Sequence, residues 1–415
     1  MSAPSEATGV GNATRQRSIL REPRFVRLWI GTTASGLATW ALPFVLGLAV
    51  LDRELSAVGL GIVLAARTVG FLLAVPVAGV LADRHSRRGV VLWSGLSAAV
   101  AAPGIALGLA VSSVPLMAVA AAVAGAGQGA CRPAFQALVA EVVDGERRQQ
   151  ANAAMSLAVR VITLTAPALT ALLATVFDTR ALLIGIGLTW LCAALIPPAG
   201  QYTPAATGMK VPFIRQFTEG LQEAKRHPWF LAGLGALTAV IATGYSATGV
   251  ALPLISRDKY DTEVVLAASL TAYTVGALLG ALLIARWRPR AQGWTALAAL
   301  ACYGFAPLSL MLPVHPAVVV AAYVVAGLGI ELFNVPWFTA TQREVEPDKL
   351  ARVSSLDFLF SYGLAPLGLA LIAPAIDAFG VTAVLGTCAA VCFLAPALAA
   401  LVPSSKDFSR AGTRS

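Results

Sequence analysis

Five ionisable side chains lie inside long apolar runs of the sequence, where a charge is costly. Arg67, Arg132 and Arg160 occur in the first half of the chain, and Glu331 and Asp357 occur in the second half. A charge at the centre of a membrane-spanning helix costs at least about 2.5 kcal/mol, so such groups usually mark a functional pathway. Two chemistries suit these residues. Opposite charges can pair across the two halves, and a carboxyl group in apolar surroundings can load and release a proton.

Glu331 is the leading candidate for a proton carrier, because it lies near the middle of its apolar run. Asp52, near the end of the first run, is the alternative, although its position favours a solvated loop acid. Two of the other charged residues could instead have a purely structural role. Arg132 could join a charge cluster at the membrane surface, and Asp357 could brace one end of its helix.

Polar and aromatic side chains within the apolar runs could line a cavity and contact a small molecule. Each of them is also consistent with helix packing or with an aromatic anchor at the membrane interface. The candidate substrate contacts are Trp29, Thr33, Trp40, Tyr245, Asn334, Trp337 and Tyr362.

The composition places these residues in a membrane protein. Of 415 residues, 57% are hydrophobic and only 12% are charged, against about 25% charged in soluble domains. So much apolar side chain requires a bilayer as solvent. The net charge of +9 comes from basic residues that mostly lie between apolar runs, which indicates membrane topology rather than nucleic-acid binding. No metal-ligand spacing and no nucleotide-binding GxxxxGK motif occurs, so we expect no metal, no cofactor and no enzymatic activity.

The apolar runs predict an all-α membrane protein with twelve transmembrane helices in two pseudo-symmetric six-helix bundles. We expect a cytoplasmic N-terminal tail (1–24), a first bundle (25–199), a linker with an amphipathic surface helix (200–228), a second bundle (229–402) and a C-terminal tail (403–415). The predicted spans are 25–51, 56–81, 90–111, 114–138, 150–175, 180–199, 229–255, 263–285, 291–312, 314–340, 350–376 and 380–402.

The basic residues also predict the orientation. Of the 30 lysines and arginines, 23 lie in tails and connectors on one side of the predicted spans and 4 on the other. The positive-inside rule therefore places both termini in the cytoplasm, in a cell (plasma) inner membrane. The polar N-terminus contains no apolar segment of the signal-peptide type, so no cleaved signal is expected.

The two halves show an internal repeat. Matching prolines and acids recur at an offset of 203 and then of 199 residues. A parallel repeat of six spans is the plan of one large transporter fold, which holds its substrate between the halves at mid-membrane. The matched positions include Pro133 with Pro336, Glu141 with Glu344, Pro167 with Pro366, and Asp178 with Asp377.

A dense charge cluster between the second and third spans carries a family resemblance. It resembles the signature G-x-x-x-D-R/K-x-G-R/K-R/K of the major facilitator superfamily, with Ser86 in place of the second glycine. Arg132-Pro133-Ala134 and the stretch 351–356 are also similar to the branch that includes macrolide and siderophore exporters. The residues that match the signature are Gly79, Asp83, Arg84, Arg87 and Arg88.

The resemblance implies a conformational gate at the inner membrane face. Gly79 would let two helices approach closely, and Asp83 would accept hydrogen bonds from the start of the eleventh span. Arg87 or Arg88 would pair with an acid at the inner end of the fourth span. The two acids available there are Glu141 and Asp144.

Span five resembles a glycine- and proline-rich packing motif of family antiporters. Pro167 remains, but small residues replace the glycines. Close helix packing at Pro167 is still expected, whereas the loss of the glycines weakens the resemblance to proton antiporters.

The leading functional hypothesis is therefore a secondary active transporter that works by alternating access. It would be a proton-coupled exporter of amphipathic small organic molecules such as drugs, macrolides or siderophore-like compounds. One alternative is an importer or facilitator of a polar or anionic metabolite, since two mid-membrane arginines suit an anion. A second is a non-transporting membrane sensor or scaffold. The expected partners are a small-molecule substrate, protons and the lipid bilayer, and the expected oligomeric state is a monomer.

Overall fold

The chain folds into α-helices joined by short turns. The computed structural model describes residues 18–84, 86–200, 213–363 and 365–409, and no β-strand occurs among them. The helices before the linker are α1 (Pro23–Leu51), α2 (Ala57–Arg84), α3 (Arg87–Ala110), α4 (Val114–Val142), α5 (Arg148–Ala174) and α6 (Thr179–Leu195). The linker contributes α7 (Phe213–Lys225). The helices after it are α8 (Pro228–Val240), α9 (Ser246–Asp258), α10 (Val264–Arg286), α11 (Gln292–Ala301), α12 (Phe305–Met311), α13 (Pro316–Glu344), α14 (Leu350–Gly363), α15 (Ala365–Phe379) and α16 (Val381–Ala400).

Within the described ranges, ten helical segments are long and apolar enough to cross a membrane. Two of them join neighbouring helices, since a π-turn connects α8 to α9 and a 3-10 turn connects α11 to α12. Of the twelve predicted spans, those at 180–199 and 350–376 are not among the ten. Helix α6 has 17 residues, and the other region holds α14 and α15, with 14 and 15 residues. The all-helical membrane architecture is confirmed, and the count of twelve spans stays a prediction.

Local sequence signals explain several helix starts. Ser113 precedes α4, and its hydroxyl accepts a hydrogen bond from the Leu116 amide at 3.4 Å. Asp178 precedes α6, and its carboxylate accepts one from the Ala181 amide at 2.8 Å. These caps satisfy backbone donors that the first turn of a helix leaves without partners. The connections can therefore be very short, and they turn the chain back into the bilayer.

Two packed halves surround the centre of the molecule. In the first half α4 packs against α2 and α3, and in the second α13 packs against α10 and α11. The close helix contact repeats: a methyl group added at Gly125 would overlap the carbonyl of Arg67, and one at Gly327 would overlap that of Tyr273. The halves meet mainly where α2 contacts α14 and where α5 contacts α10 and α13. Residues on these five boundary helices and on α4 are therefore the ones that can respond to relative motion of the halves.

The described chain ends lie on one side of the bundle, called here the terminal side. Phe408, in the segment after α16, is fully buried against the rings of Trp229 and Trp337, with centroids at 5.3 and 5.7 Å. Arg343, at the end of α13, donates hydrogen bonds to the carbonyls of Asp407 and Phe408 at 3.3 and 3.2 Å. The C-terminal segment is thus anchored to the second half.

Replacing Phe408 with alanine should destabilise the second half. Truncating a buried aromatic side chain costs about 3–5 kcal/mol through lost burial and a residual cavity. We expect a lower thermal unfolding temperature of the purified protein in detergent. Phe379→Ala is the matched control, because Phe379 is 75% exposed, and an equal effect of both substitutions would contradict the anchoring role.

Candidate functional site

One ion pair joins the two halves near the middle of their helices. Arg160 of α5 donates to Glu331 of α13, with Nε 2.6 Å and Nη2 2.5 Å from the same oxygen, Oε1. The Glu331 side chain is 2% exposed and that of Arg160 is 19% exposed. The Arg160 guanidinium also lies over the ring of Tyr273, 5.6 Å from its centroid. Both charges belong to the set predicted from the sequence, and the structure brings them into contact.

The other two predicted arginines lie together in the first half. Arg67 of α2 donates to the Gln128 side chain of α4 at 2.7 Å and to the Thr39 carbonyl of α1 at 3.1 Å. Arg132 lies over the ring of Phe71, 5.9 Å from its centroid. The contacts of these two arginines are with residues of α1, α2 and α4, all in the first half.

On the terminal side, Asp83 connects the end of α2 to the start of α14. Its carboxylate accepts hydrogen bonds from the backbone amides of Ala351 and Arg352 at 3.0 and 2.9 Å, and from Arg352 Nε at 3.2 Å. An anion is favoured at a helix N-terminus, because the amide groups there lack intrahelical partners. The two halves are therefore held together at this point by charge-assisted hydrogen bonds.

A second set of contacts surrounds Asp83. Arg87 pairs with Glu141 at 2.8 Å and lies 3.5 Å from Asp83, and it also donates to the carbonyl of Pro347 in the other half. We call Asp83, Arg87, Glu141 and Arg352 the terminal-side gate. Three of these residues were selected from the sequence with the family resemblance, whereas Arg352 was not assigned a role.

Close helix approach makes this gate geometry available. A methyl group added at Gly79 would lie 2.7 Å from Ser355 Cβ and 2.9 Å from the Ala351 carbonyl oxygen, so any larger residue would push α2 and α14 apart. Glycine at this position thus has a steric reason that involves the other half of the molecule.

Amide side chains extend the contact between halves on the terminal side. Gln342 of α13 donates to the Gln136 side chain at 3.1 Å, and Asn152 of α5 donates to Gln342 at 3.0 Å. Gln149 donates to the carbonyls of Ile284 and Trp287 in the second half, at 2.5 and 2.8 Å. These amides could not be predicted from the sequence, because uncharged polar residues near helix ends are common and no motif includes them.

At the opposite ends of the helices, the connecting segments bond within their own half. Asp52 accepts from the Thr179 hydroxyl at 3.2 Å, both in the first half. Lys259 and Tyr260 donate to the carbonyls of Leu312 and Val314 in the second half, at 2.5 and 2.8 Å. The polar contacts between halves described above thus extend from the terminal side to the Arg160–Glu331 pair, and the molecule is closed on the terminal side.

Asp357 lies inside the second half rather than between the halves. Its carboxylate accepts from Trp337 Nε1 at 3.3 Å and from the Ser361 hydroxyl at 3.1 Å. Trp337 is fully buried in the aromatic cluster beside Phe408. The pathway role predicted for Asp357 and the substrate contact predicted for Trp337 stay predictions. Both side chains are buried among residues of the second half.

The remaining candidates are spread over several environments. Trp29 donates to the Ala154 carbonyl between α1 and α5, and Arg88 donates to the Leu195 carbonyl at the end of α6. Trp40 and Tyr245 are exposed, at 41% and 48%, while Thr33 and Asn334 are partly buried. Pro167 lies inside α5, and Asp144 precedes the 3-10 turn that leads into α5. The side chains of Arg84 and Tyr362 lie outside the described part of the structure.

The linker helix α7 contacts the gate, and no sequence pattern predicts this contact. Glu219 pairs with Arg352 at 3.2 Å, so Arg352 contacts both the linker and Asp83. Glu223, 1% exposed, pairs with Lys349 at 3.1 Å and lies 3.3 Å from His227. The i, i+4 spacing of the two glutamates places them on one face of α7, but no sequence signal names their partners across the fold.

The acid–base properties of this linker contact follow from its pairing. Burial raises the pKa of Glu223, but hydrogen bonds and charge from Lys349 and His227 outweigh it and hold the pKa below its usual value. Burial lowers the pKa of Lys349, yet Glu346 and Glu223 together raise it. The Glu223 contribution to stability is therefore present above its unfolded-state pKa, and the Lys349 contribution is present below its own.

Acid should weaken the attachment of α7. As pH falls through the lowered folded-state pKa of Glu223, protonation removes its attraction to Lys349, and thermal stability should decline. Glu223→Gln should be less stable at neutral pH and should lack this part of the acid transition, as measured by thermal unfolding between pH 3 and 7. Glu263→Gln, at an exposed site, is the control, and an unchanged acid profile in Glu223→Gln would contradict the assignment.

An apolar groove of about 500 Å³ runs along α10 and reaches Val324 of α13. Its α10 residues are Val264, Ala267, Ala268, Thr271, Ala272 and Val275. At 3.6 residues per turn they share one face of the helix, and Tyr273 lies on the opposite face. The groove is therefore separate from the Arg160–Glu331 pair.

Solved structures of transporters share this fold. The human organic anion transporter MFSD10 superposes with a TM-score of 0.74 at 15% identity, covering 91% of this chain and 99% of that one. A bacterial homologue of the iron transporter ferroportin gives 0.69 at 17% identity, covering 91% and 98%. The E. coli fucose:proton symporter FucP gives 0.66 at 14% identity, covering 90% and 98%. These structures share with this chain a fold of two helical halves.

The sequence itself matches a family model. The model of the Major Facilitator Superfamily matches residues 28–369, so the chain belongs to that superfamily. No curated protein gives a significant sequence match. The family and the structural neighbours establish a multi-pass membrane transporter rather than an enzyme.

Proposed function

We propose that this protein is a proton-coupled secondary active transporter that works by alternating access and exports small amphipathic organic molecules. The Arg160–Glu331 ion pair carries the proposal, because it joins the halves near mid-depth and consists of two groups that are costly to bury. A group whose charge state changes at such a position alters the attraction between the halves directly.

The coupling step follows from elementary electrostatics. With Glu331 ionised, its attraction to Arg160 favours the arrangement closed on the terminal side. Protonation of Glu331 removes one charge, so the pair no longer holds α5 against α13. Oε2 of Glu331 has no hydrogen-bond partner within the described residues, which supports this oxygen as the site of proton loading.

The terminal-side gate would respond in the same cycle. Asp83 and Arg87 contribute charge-assisted bonds that exist only while the halves are closed there. Rocking of the halves would exchange these bonds for hydration as the terminal side opens. The excess of basic residues on this side supports its assignment to the cytoplasm.

Export is proposed from the resemblance of Arg132-Pro133-Ala134 and of residues 351–356 to the macrolide and siderophore exporters. Uptake of a polar or anionic metabolite is the second candidate. It is supported by Arg67, whose hydrogen-bond partners are an amide and a backbone carbonyl rather than a carboxylate.

The test is dye transport in a bacterial host that lacks its major efflux pumps. Cells are loaded with a panel of fluorescent amphipathic dyes of each charge type and then re-energised. We expect expression to accelerate the loss of at least one dye, and a protonophore to abolish the difference. Accumulation instead of loss would favour the uptake candidate, protonophore insensitivity would refute proton coupling, and no effect in either direction would contradict transport of this class.

A further inference from the structure

The group around Arg67 has features that the proton-coupling site does not explain. Its two described hydrogen bonds both come from Nη2, to Gln128 and to the Thr39 carbonyl. A guanidinium carries five N–H donors, so the three on Nε and Nη1 have no partner within the described residues. The side chain is partly exposed rather than sealed in protein. A cationic group with available donors is therefore present near mid-depth in the first half.

Helix geometry places a second arginine, Arg132, close to Arg67. Phe71 follows Arg67 by four residues on α2, and Arg132 follows Gln128 by four residues on α4. Residues four apart lie one above the other on a helix face. Arg67 of α2 contacts Gln128 of α4, and Arg132 of α4 contacts Phe71 of α2. The two contacts therefore lie one helical turn apart along the same pair of helices.

Close backbone packing between α2 and α4 fixes the positions of these residues. A methyl group at Gly125 would overlap the Arg67 carbonyl, so α2 and α4 are as close as their backbones allow. The two guanidinium groups therefore lie on the same helix contact, about one turn apart. The Arg67 charge is held by rigid helices, and a charge inside a membrane is costly unless a group of opposite charge visits it.

The acids of the spans are engaged elsewhere. Glu331 pairs with Arg160 of α5, and Asp357 accepts hydrogen bonds within the second half. For Arg67, the described structure holds no carboxylate within 4.0 Å of the guanidinium. The charge at this position is thus balanced by neutral dipoles alone.

We propose that Arg67 and Arg132 form the recognition site for the anionic group of the substrate, so that the cargo is a small organic anion bearing a carboxylate, sulfonate or phosphate. This inference rests on the proposed transport function and specifies its substrate class. Arginine suits oxyanions because its N–H groups donate charge-assisted hydrogen bonds to them. Gln128 would act as a positioning residue, since it orients the Arg67 guanidinium.

The experiment measures binding without transport. Thermal unfolding of the purified protein in detergent is recorded with four matched probes: 2-naphthoate, 2-naphthalenesulfonate, 2-naphthamide and 2-naphthylmethylammonium. We expect concentration-dependent stabilisation by the carboxylate and the sulfonate, and little by the amide or the ammonium compound. Equal shifts with all four probes, or no shift with any of them, would overturn the inference.

Variants separate recognition from a structural role. Arg67→Gln should weaken the apparent affinity for 2-naphthoate about tenfold or more, as expected for loss of a charged hydrogen bond. Arg67→Lys, which keeps the charge, should retain part of the preference for the carboxylate over the amide. A merely structural Arg67 would change the unfolding temperature in both variants without changing that preference. Arg180→Gln, half exposed and paired with Glu54, is the control.

The outcomes distinguish this inference from the proposed function. If anion-selective binding depends on Arg67 but dye transport ignores the protonophore, proton coupling is wrong and the anion site stands. If transport is proton-coupled but probes of every charge bind alike, the anion site is wrong and the coupling stands.

Discussion

Replacing Glu331 with glutamine should abolish proton-coupled transport. The amide keeps the shape of the side chain but cannot load or release a proton, so protonation can no longer alter the contact with Arg160. We expect the proton-driven rate to fall by about two orders of magnitude or more, the size typical of losing a proton-transfer group. The measurement is dye flux in proteoliposomes under an imposed pH gradient, with substrate binding recorded separately by thermal shift.

A stability control is needed because Glu331→Gln leaves Arg160 without its charged partner. Removing one member of a buried pair costs up to about 3–5 kcal/mol, and less is expected here because Arg160 is 19% exposed. The double variant Arg160→Gln/Glu331→Gln removes both charges, and it should regain thermal stability without regaining coupling. Recovery of coupling in the double variant would contradict the assignment.

Asp357→Asn provides the comparison between the two candidate carboxyl groups. Asp357 accepts hydrogen bonds from Trp337 and Ser361 within the second half, so we expect this variant to lose stability but to keep proton-coupled flux. If instead Asp357→Asn loses coupling and Glu331→Gln keeps it, the proton carrier is Asp357 and the proposed mechanism is wrong.

The sequence predicts the depth of a charged residue well and its lateral neighbours poorly. Arg160 and Glu331 are recognisable because each interrupts an apolar run, and the cost of burying a charge makes the interruption meaningful. Which of three arginines meets which of two acids depends on the rotation and packing of the helices. A helix that is apolar on all sides has no polar face in its sequence, so the sequence does not indicate how the helix is rotated.

The gate shows a similar division. The contact of Asp83 with the start of the eleventh span could be predicted because the family resemblance implies it. Arg352 and the linker residue Glu219 carry no such signature, and they meet only because α7 folds back onto α14. The count of twelve spans stays a prediction, since α14 and α15 are each shorter than a bilayer crossing requires.

Replacing Asp83 with asparagine should open the terminal side and slow turnover while leaving substrate binding intact. Asp83 accepts from two backbone amides and from Arg352, and hydrogen bonds to a charged group contribute about 1.5–3 kcal/mol each. The asparagine side chain has only one acceptor oxygen. Its NH₂ group would face the backbone amides of Ala351 and Arg352, which are donors themselves. Loss of about 3 kcal/mol from the closed arrangement would raise the population of the open one roughly 100-fold.

Cysteine accessibility measures that shift directly. Ala153 of α5 is 3% exposed and packs with Ile284 and Leu332 of the second half, so a thiol in Ala153→Cys reports on the contact between halves. In a background without the native cysteines, its modification by a maleimide added to the terminal side should be faster when Asp83→Asn is present. Asp377→Asn, at an exposed position, should leave the rate unchanged. An unaltered rate in Asp83→Asn would mean that the Asp83 contacts do not control closure. The terminal side would then be held shut by the amide network of Asn152 and Gln342 instead.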